Sequence, residues 1–219
     1  MLAKAITQNS IGLGIFAVFT AGLIALSYAL TNERAAANAD AYAARILYEL
    51  VPTASFDQPI EQQNFSLLHS SRVRGVNSLT LRSDRQAFRA EQEGAVTAVV
   101  IPVTSSAGYT GDIDLLLAVQ ADGTVLGVRV VAHQETPGLG DAIEADRSDW
   151  VLQFDGQSLR VPAPVQWAVR KDGGEFDQLT GATITPRAVV AAVRAGLEFF
   201  LTNREWLLTL PNDEASHGE

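Results

Sequence analysis

An uncharged apolar run from Ile11 to Leu30, IGLGIFAVFTAGLIALSYAL, constrains this chain more than any other feature. The nearest charges are Lys4 before it and Glu33 after it. Roughly 20 residues rising about 1.5 Å each suffice to cross a bilayer core of about 30 Å. Gly12, Gly14 and Gly22 do not argue against a span, because glycine is common in transmembrane helices and permits close helix packing. The competing interpretation is a cleaved signal peptide, with Ala37-Asn38-Ala39 as the cleavage site. The run exceeds a usual signal core of about 7–15 residues, and Glu33 and Arg34 separate it from that site. It therefore reads as a retained anchor. Lys4 and the terminal amine precede it while Arg34 and Arg45 follow it, so counting positive charges leaves the orientation open.

Beyond the run, Glu33–Val51 is Ala-rich and free of Gly and Pro, which predicts a helical stalk ending in an apolar stripe of Ile46, Leu47, Leu50 and Val51. Pro52 limits its extension. Residues 52–93 are weakly patterned and read as short strands and loops. A clear β region begins near Ala95. Thr97–Val103 is β-branched, and Gly111–Gln120 alternates with Ile113, Leu115, Leu117 and Val119 on one face. Ala121-Asp122-Gly123 signals a hairpin, after which Leu126, Val128 and Val130 are expected on one face. A short helix is expected within Asp141–Phe154 and a strand at Gln166–Arg170. Thr185 followed by Pro186 predicts an N-cap and first helical residue. The helix is expected to run to about Leu201, with Val189, Val193, Leu197 and Phe200 inward.

Composition narrows the chemistry. The chain has 219 residues, a net charge of -9 and no cysteine. An acidic chain is a poor nucleic-acid ligand. Without cysteine there are no disulfides, thiolate-held clusters, cysteine nucleophiles or Cys zinc sites. His69, His133 and His217 are too scattered for a zinc motif, and no metal site or catalytic side chain is expected. Redox chemistry would have to come from an organic cofactor.

Just before the C-terminal helix lies Asp177-Gln178-Leu179-Thr180-Gly181-Ala182-Thr183. Gly181 permits backbone conformations other residues resist. Thr180, Thr183 and Thr185 cluster hydroxyls at a helix N-terminus, where a phosphate would be favoured. Such a cluster is equally explained as a helix cap. Upstream, His133-Gln134-Glu135-Thr136-Pro137-Gly138-Leu139-Gly140 reads by itself as a Pro-Gly turn after a strand.

The first stretch resembles the D-x-x-[ST]-G-A-T flavinylation motif of the FMN-binding domains in Rnf and Na⁺-translocating NADH:quinone reductase complexes. All its motif positions match. The second resembles that family's H-x-E-T-P-G-L-G segment. Lys171–Phe176 (KDGGEF) is most similar to the G-subunit branch of the Rnf (Rsx) complexes, rather than to the C subunit of the quinone reductase. Gly108-Tyr109-Thr110-Gly111, leading a strand pair, also falls in the family order.

The resemblance implies an α+β protein: one N-terminal transmembrane helix plus a periplasmic FMN-binding domain with an antiparallel sheet and flanking helices. It implies residues 1–8 in the cytoplasm, 9–31 in the bacterial inner membrane and 32–93 as stalk and membrane-proximal segment. Residues 94–205 would form the FMN-binding domain and 206–219 an acidic tail. It implies FMN joined covalently to Thr183 by a phosphodiester, placed there by a flavin transferase. Asp177, Thr180, Gly181, Ala182, Thr185, His133, Glu135, Thr136, Leu139 and Gly140 would form the surroundings. The expected role is an electron-carrying subunit of a complex that couples ferredoxin/NAD-type electron transfer to ion translocation, or that keeps a redox-sensing regulator reduced. Other subunits, the transferase and the bilayer are its expected partners. The C subunit of the quinone reductase is the first alternative, and two roles of other kinds fit the same residues. One is a membrane-tethered FMN-binding scaffold without redox turnover. The other is an unflavinylated subunit whose threonines only cap a helix.

Overall fold

A computed structural model describes residues 12–25, 27–28, 44–68, 72–82 and 85–209. The expected stalk residues before Ala44, His69, His217 and the acidic tail beyond Thr209 lie outside them. The chain divides into two compact units, Met1–Arg45 and Ile46–Glu219. In the first, residues 12–25 are helical and turn their apolar side chains to the exterior, with Leu13 70%, Val18 75% and Phe19 69% exposed. Thr20 is the one polar side chain in that stretch, and its hydroxyl donates to the Phe16 carbonyl at 2.8 Å. Among the described residues no helix is long and apolar enough to cross a membrane.

The second unit is built on a five-stranded antiparallel meander in the order β1-β2-β3-β4-β5. The strands are β1 (Asn64–Ser66), β2 (Gln86–Gln92), β3 (Ala95–Ser105), β4 (Ile113–Gln120) and β5 (Val125–Ala132). The weakly patterned stretch before Ala95 therefore contributes two strands. On β4, Ile113, Leu115, Leu117 and Val119 are fully buried on one face, as their alternation predicts. The turn into β5 is set by Gly123 at φ +97 and by the Asp122 carboxylate, which accepts the Thr124 N–H at 2.8 Å.

Strand β5 departs from simple alternation. Ala118 pairs with Gly127 but Val119 with Val125; likewise Asp114 pairs with Ala132 but Leu115 with Val130. Leu126 and Val131 are thus extra residues in bulges. Val128 and Val130 point to the main core, whereas Leu126 packs on the opposite face, contrary to the expectation that the three share one. Gln166–Arg170 is not a strand either. Its neighbourhood forms 3-10 turns at Pro164–Gln166 and Arg170–Asp172, with a single bridge between Val169 and Phe176. The Trp167 and Ala168 N–H groups are spent on the Pro164 and Gln166 carbonyls within the turn, and Gly173 at φ +84 reverses the chain. Within Asp141–Phe154 the helical turns are also of 3-10 type.

The long helix, Ile184–Leu208, covers one face of the sheet. Val189, Val193, Leu197 and Phe200 form its inward stripe, each at most 1% exposed. The other face is covered by Ile46, Leu47, Leu50, Val51 and Ile60, packed on Ala90, Val100, Leu116 and Ala118. The sheet is therefore buried on both sides, with the apolar stripe after Arg45 forming part of the second core.

Both helix ends differ from expectation. The N-cap is Thr183, not Thr185, and Pro186 is the third helical residue. Proline is tolerated there because first-turn N–H groups have no intrahelical partner. The C-terminus lies at Leu208, beyond Leu201, because tertiary contacts hold the last turns. The Arg89 guanidinium is 7% exposed and donates to the carbonyls of Leu207 (2.9 Å) and Trp206 (3.3 Å). This satisfies terminal carbonyls and places a cation at the negative end of the dipole. Asn203 exchanges two hydrogen bonds with the Arg74 backbone, at 2.7 and 2.9 Å.

The helix packs closely against the sheet at Gly196. A Cβ there would lie 2.6 Å from Leu117 Cδ2 and 3.1 Å from Val103 Cγ2. Gly196→Val is expected to lower the unfolding free energy by roughly 1–3 kcal/mol through overpacking, checked by denaturant unfolding of the full chain in detergent.

Candidate cofactor site

Three segments distant in sequence converge at the start of the long helix. They are the β3–β4 loop around Tyr109, the stretch from His133 to Gly140 after β5, and Thr180–Thr185. Between them lies a cleft of about 340 Å³, within the range of roughly 300–1,000 Å³ usual for small-ligand sites. Gly181, Ala182, Thr183, Ile184 and Thr185 form one wall; Glu135, Thr136, Leu139, Gly140 and Tyr109 form the other.

The Thr183 wall is shaped by a turn in which the Ala182 N–H donates to the Leu179 carbonyl at 3.2 Å. Gly181, third in that turn, has φ +83, a region that favours glycine. A Cβ on it would also sit 2.8 Å from Leu139 Cδ2. Thr183 follows in a right-handed helical conformation, φ −78 and ψ −31, and its side chain makes no capping hydrogen bond. The hydroxyl lining the cleft is therefore not occupied in closing the helix. Tyr109, Leu139 and Ile184 leave 67%, 44% and 45% of their surfaces exposed, so the cleft carries apolar surface at its opening.

Glu135, in the wall opposite Thr183, is 4% exposed. Its Oε2 accepts from the buried Thr185 hydroxyl, and its Oε1 accepts from the Thr110 N–H at 3.2 Å. The Thr110 hydroxyl donates to the Gln134 carbonyl. The Glu135 N–H donates to His133 Nδ1 at 3.0 Å, while His133 Nε2 lies 2.6 Å from Glu144 Oε1. Since Nδ1 accepts, the neutral ring carries its proton on Nε2, directed at the Glu144 carboxylate. The Thr136 carbonyl accepts from Leu139 and Gly140, forming the turn read from Pro137-Gly138.

The FMN-binding domain family matches residues 108–198, and the RnfG N-terminal region family matches residues 1–50. The chain is 45% identical over 215 residues to the G subunit of the ion-translocating oxidoreductase complex of Pseudomonas aeruginosa strain UCBPP-PA14, covering 98% of this chain and 97% of that one. The corresponding G subunit of Vibrio cholerae strain M66-2 is 41% identical over 211 residues, covering 96% and 98% of the two chains. That of Shewanella loihica is 40% identical over 210 residues, covering 96% of each. This chain belongs to the RnfG family. Of the two branches that the sequence resembles, membership selects the Rnf branch over its quinone-reductase counterpart.

Of the residues singled out in sequence for this RnfG chain, eight line the cleft: Glu135, Thr136, Leu139, Gly140, Gly181, Ala182, Thr183 and Thr185. Three do not. Thr180 is exposed on the turn. Asp177 is exposed and pairs with Arg170 at 2.6 Å; its backbone is held by Gln153 and Trp150. His133 lies behind Glu135 and holds that residue's backbone. Thr185 is no cap but a buried donor inside the first turn. Tyr109, Ile184 and Thr110 were not assigned from sequence. The signal for Tyr109 and Thr110 was an aromatic and a hydroxyl between two glycines; for Ile184, an apolar residue directly following the motif.

The residues fit an FMN group. The Thr183 hydroxyl is uncommitted, the orphan N–H groups of the helix start favour a phosphate, and the exposed apolar side chains suit a flat aromatic ring. Nearby, Arg187 in the first helical turn grips Asp172 through two hydrogen bonds of 2.5 and 2.6 Å. The bond to Arg187 holds the Asp172 carboxyl below its ordinary value of 3.8. With the folded value depressed, the pair's contribution is present above the unfolded value and lost as pH falls through the folded one. A carboxyl titration followed by NMR is expected to give Asp172 a midpoint below 3.8, and Arg187→Ala to return it toward 3.8.

Proposed function

We propose that this chain is a membrane-anchored flavoprotein that carries FMN in phosphodiester linkage to Thr183 and relays electrons within an ion-translocating oxidoreductase complex. The observation that carries this reading is the Thr183 hydroxyl, which lines the cleft at the N-cap of the long helix without capping it. A hydroxyl needed only for capping would accept an N–H of the first turn. In the loading step the Thr183 oxygen bonds to the flavin-side phosphorus of FAD and AMP departs, taking the hydroxyl proton; a flavin transferase supplies the catalysis.

Bound FMN supplies electron transfer in single or paired steps. The chain's own contribution is to hold and expose. The helix start offers donors and positive potential to the phosphodiester, and Gly181 keeps the turn clear of Leu139. Tyr109, Leu139 and Ile184, exposed at the opening of the cleft, would hold the ring of a bound flavin by apolar contact. A covalent tether retains the cofactor without an enclosing pocket. Mass analysis of protein made with an active transferase is expected to show an FMN-phosphoryl increment on the Thr183 peptide and none in Thr183→Ala. In the assembled complex, reductant should bleach flavin absorbance at this site in the wild type and not in the variant. A flavin that stays oxidised throughout turnover would leave only the scaffold role.

The same proposal places the run from Ile11 to Leu30 across the bacterial inner membrane, with the flavin unit on the periplasmic side. Support comes from its length and from the exposure of its apolar side chains over residues 12–25. Alkaline carbonate extraction is expected to leave the full chain in the membrane pellet, and protease added to spheroplasts to digest the flavin unit. Release into the supernatant would argue for cleavage or peripheral attachment.

A further inference from the structure

Glu135 is a buried carboxylate with no Lys or Arg partner among the described residues. Keeping such a group out of water is expensive unless it is well hydrogen-bonded. Space is cleared for it from two sides. A Cβ at Gly140 would lie 2.8 Å from Oε2, and one at Gly108 would lie 2.9 Å from Oε1. Its Oε2 accepts from the hydroxyl of Thr185, the second residue of the long helix.

Thr185 is in an unusual position, because it precedes Pro186. The proline ring disfavours helical backbone in the residue before it. Local preference would therefore start the helix at Pro186 with Thr185 as N-cap, as the sequence alone predicts. Instead the helix starts at Ile184, which makes Thr183 the N-cap. The contact that distinguishes the two starts is the hydrogen bond from Thr185 to Glu135. It takes the Thr185 hydroxyl away from capping and fixes it in the wall of the cleft.

We propose that Glu135 is a positioning residue for Thr183. By holding Thr185 it draws two further residues into the helix and so presents the Thr183 hydroxyl in the cleft in the geometry used for flavin attachment. The idea rests on the reading of Thr183 as the attachment site, and it assigns Glu135 no contact with the reacting atoms. Thr110 and His133 support it by fixing the carboxylate and backbone of Glu135.

The test compares wild type, Glu135→Ala, Thr185→Val and Thr185→Ser, each as the full chain in detergent. Two quantities are read: backbone chemical shifts of residues 183–190 before loading, and the rate of covalent FMN incorporation by a flavin transferase with FAD. Wild type and Thr185→Ser, which keeps the hydroxyl, are expected to show helical shifts at Ile184 and Thr185 and similar loading rates. Glu135→Ala and Thr185→Val are expected to lose helical shifts at those two residues, keep them from Arg187 onward, and load about tenfold more slowly or worse, since misplacing a reacting group is costly. The proposal is overturned if Thr185→Val keeps the helical shifts, or loses them and still loads at the wild-type rate. It is also overturned if Thr185→Ser behaves as Thr185→Val. A wild type that takes no flavin from a transferase active on a control substrate defeats the reading of Thr183. In that event the shifts alone decide whether Glu135 sets the helix start, and unchanged shifts overturn that too.

Discussion

The close packing of the long helix on the sheet at Gly196 determines where everything else in the second unit can be. Without a side chain at that point, the helix backbone sits directly against Leu117 and Val103. Its 25 residues form a rod of about 38 Å. Once its middle is seated, both ends are fixed in space and must be finished by whatever lies there. At one end Arg89 closes the terminal carbonyls, flanked by Phe65 at 4.0 Å and Trp206 at 5.3 Å. At the other end the helix opens into the cleft, and the chain's spare donors and an unengaged hydroxyl are left there together.

The two ends obey one electrostatic rule with opposite outcomes. The carbonyl end receives a buried cation from the protein itself and is complete. The N–H end receives no capping side chain, and the nearest buried charge, Glu135, binds a side-chain hydroxyl rather than the backbone. That end keeps its affinity for an anion. A chain without cysteine, and with no metal-binding cluster among the described residues, thus leaves open a position suited to a phosphorylated organic cofactor.

The patterned parts of the fold were legible in the sequence because their signals are local. The alternation of β4, the Asp122-Gly123 turn and the stripe from Val189 to Phe200 each depend on residues a few positions apart. The motif around Thr183 was likewise readable, as was most of the opposing wall from Glu135 to Gly140. What failed depended on partners far along the chain. The helix start was misplaced because the local preference at Thr185-Pro186 gives no sign that the Thr185 hydroxyl is taken by Glu135, fifty positions earlier. Its end was misplaced because Arg89 and Asn203 hold turns that propensity does not secure. His133 was grouped with the cleft residues by the family resemblance; its ring is engaged by Glu144 on one side and the Glu135 backbone on the other. Residues 52–93 were read as short strands and loops without bounds; β1 and β2 lie there, but their positions depend on pairing with β3 or with each other.

The bulge at Val131 has a consequence for how this site can change. Side chains on a strand alternate between faces, so inserting or removing one residue reverses the parity of everything after it. The extra residue between Val130 and Ala132 reverses it once, just before the chain leaves the sheet toward His133 and Glu135. A single deletion there would keep every residue of the cleft and yet shift the register of Ala132 against Asp114, from which the chain leaves toward it. The point at which the chain enters the site is thus set partly by a count of residues in β5, a kind of information that no single side chain carries.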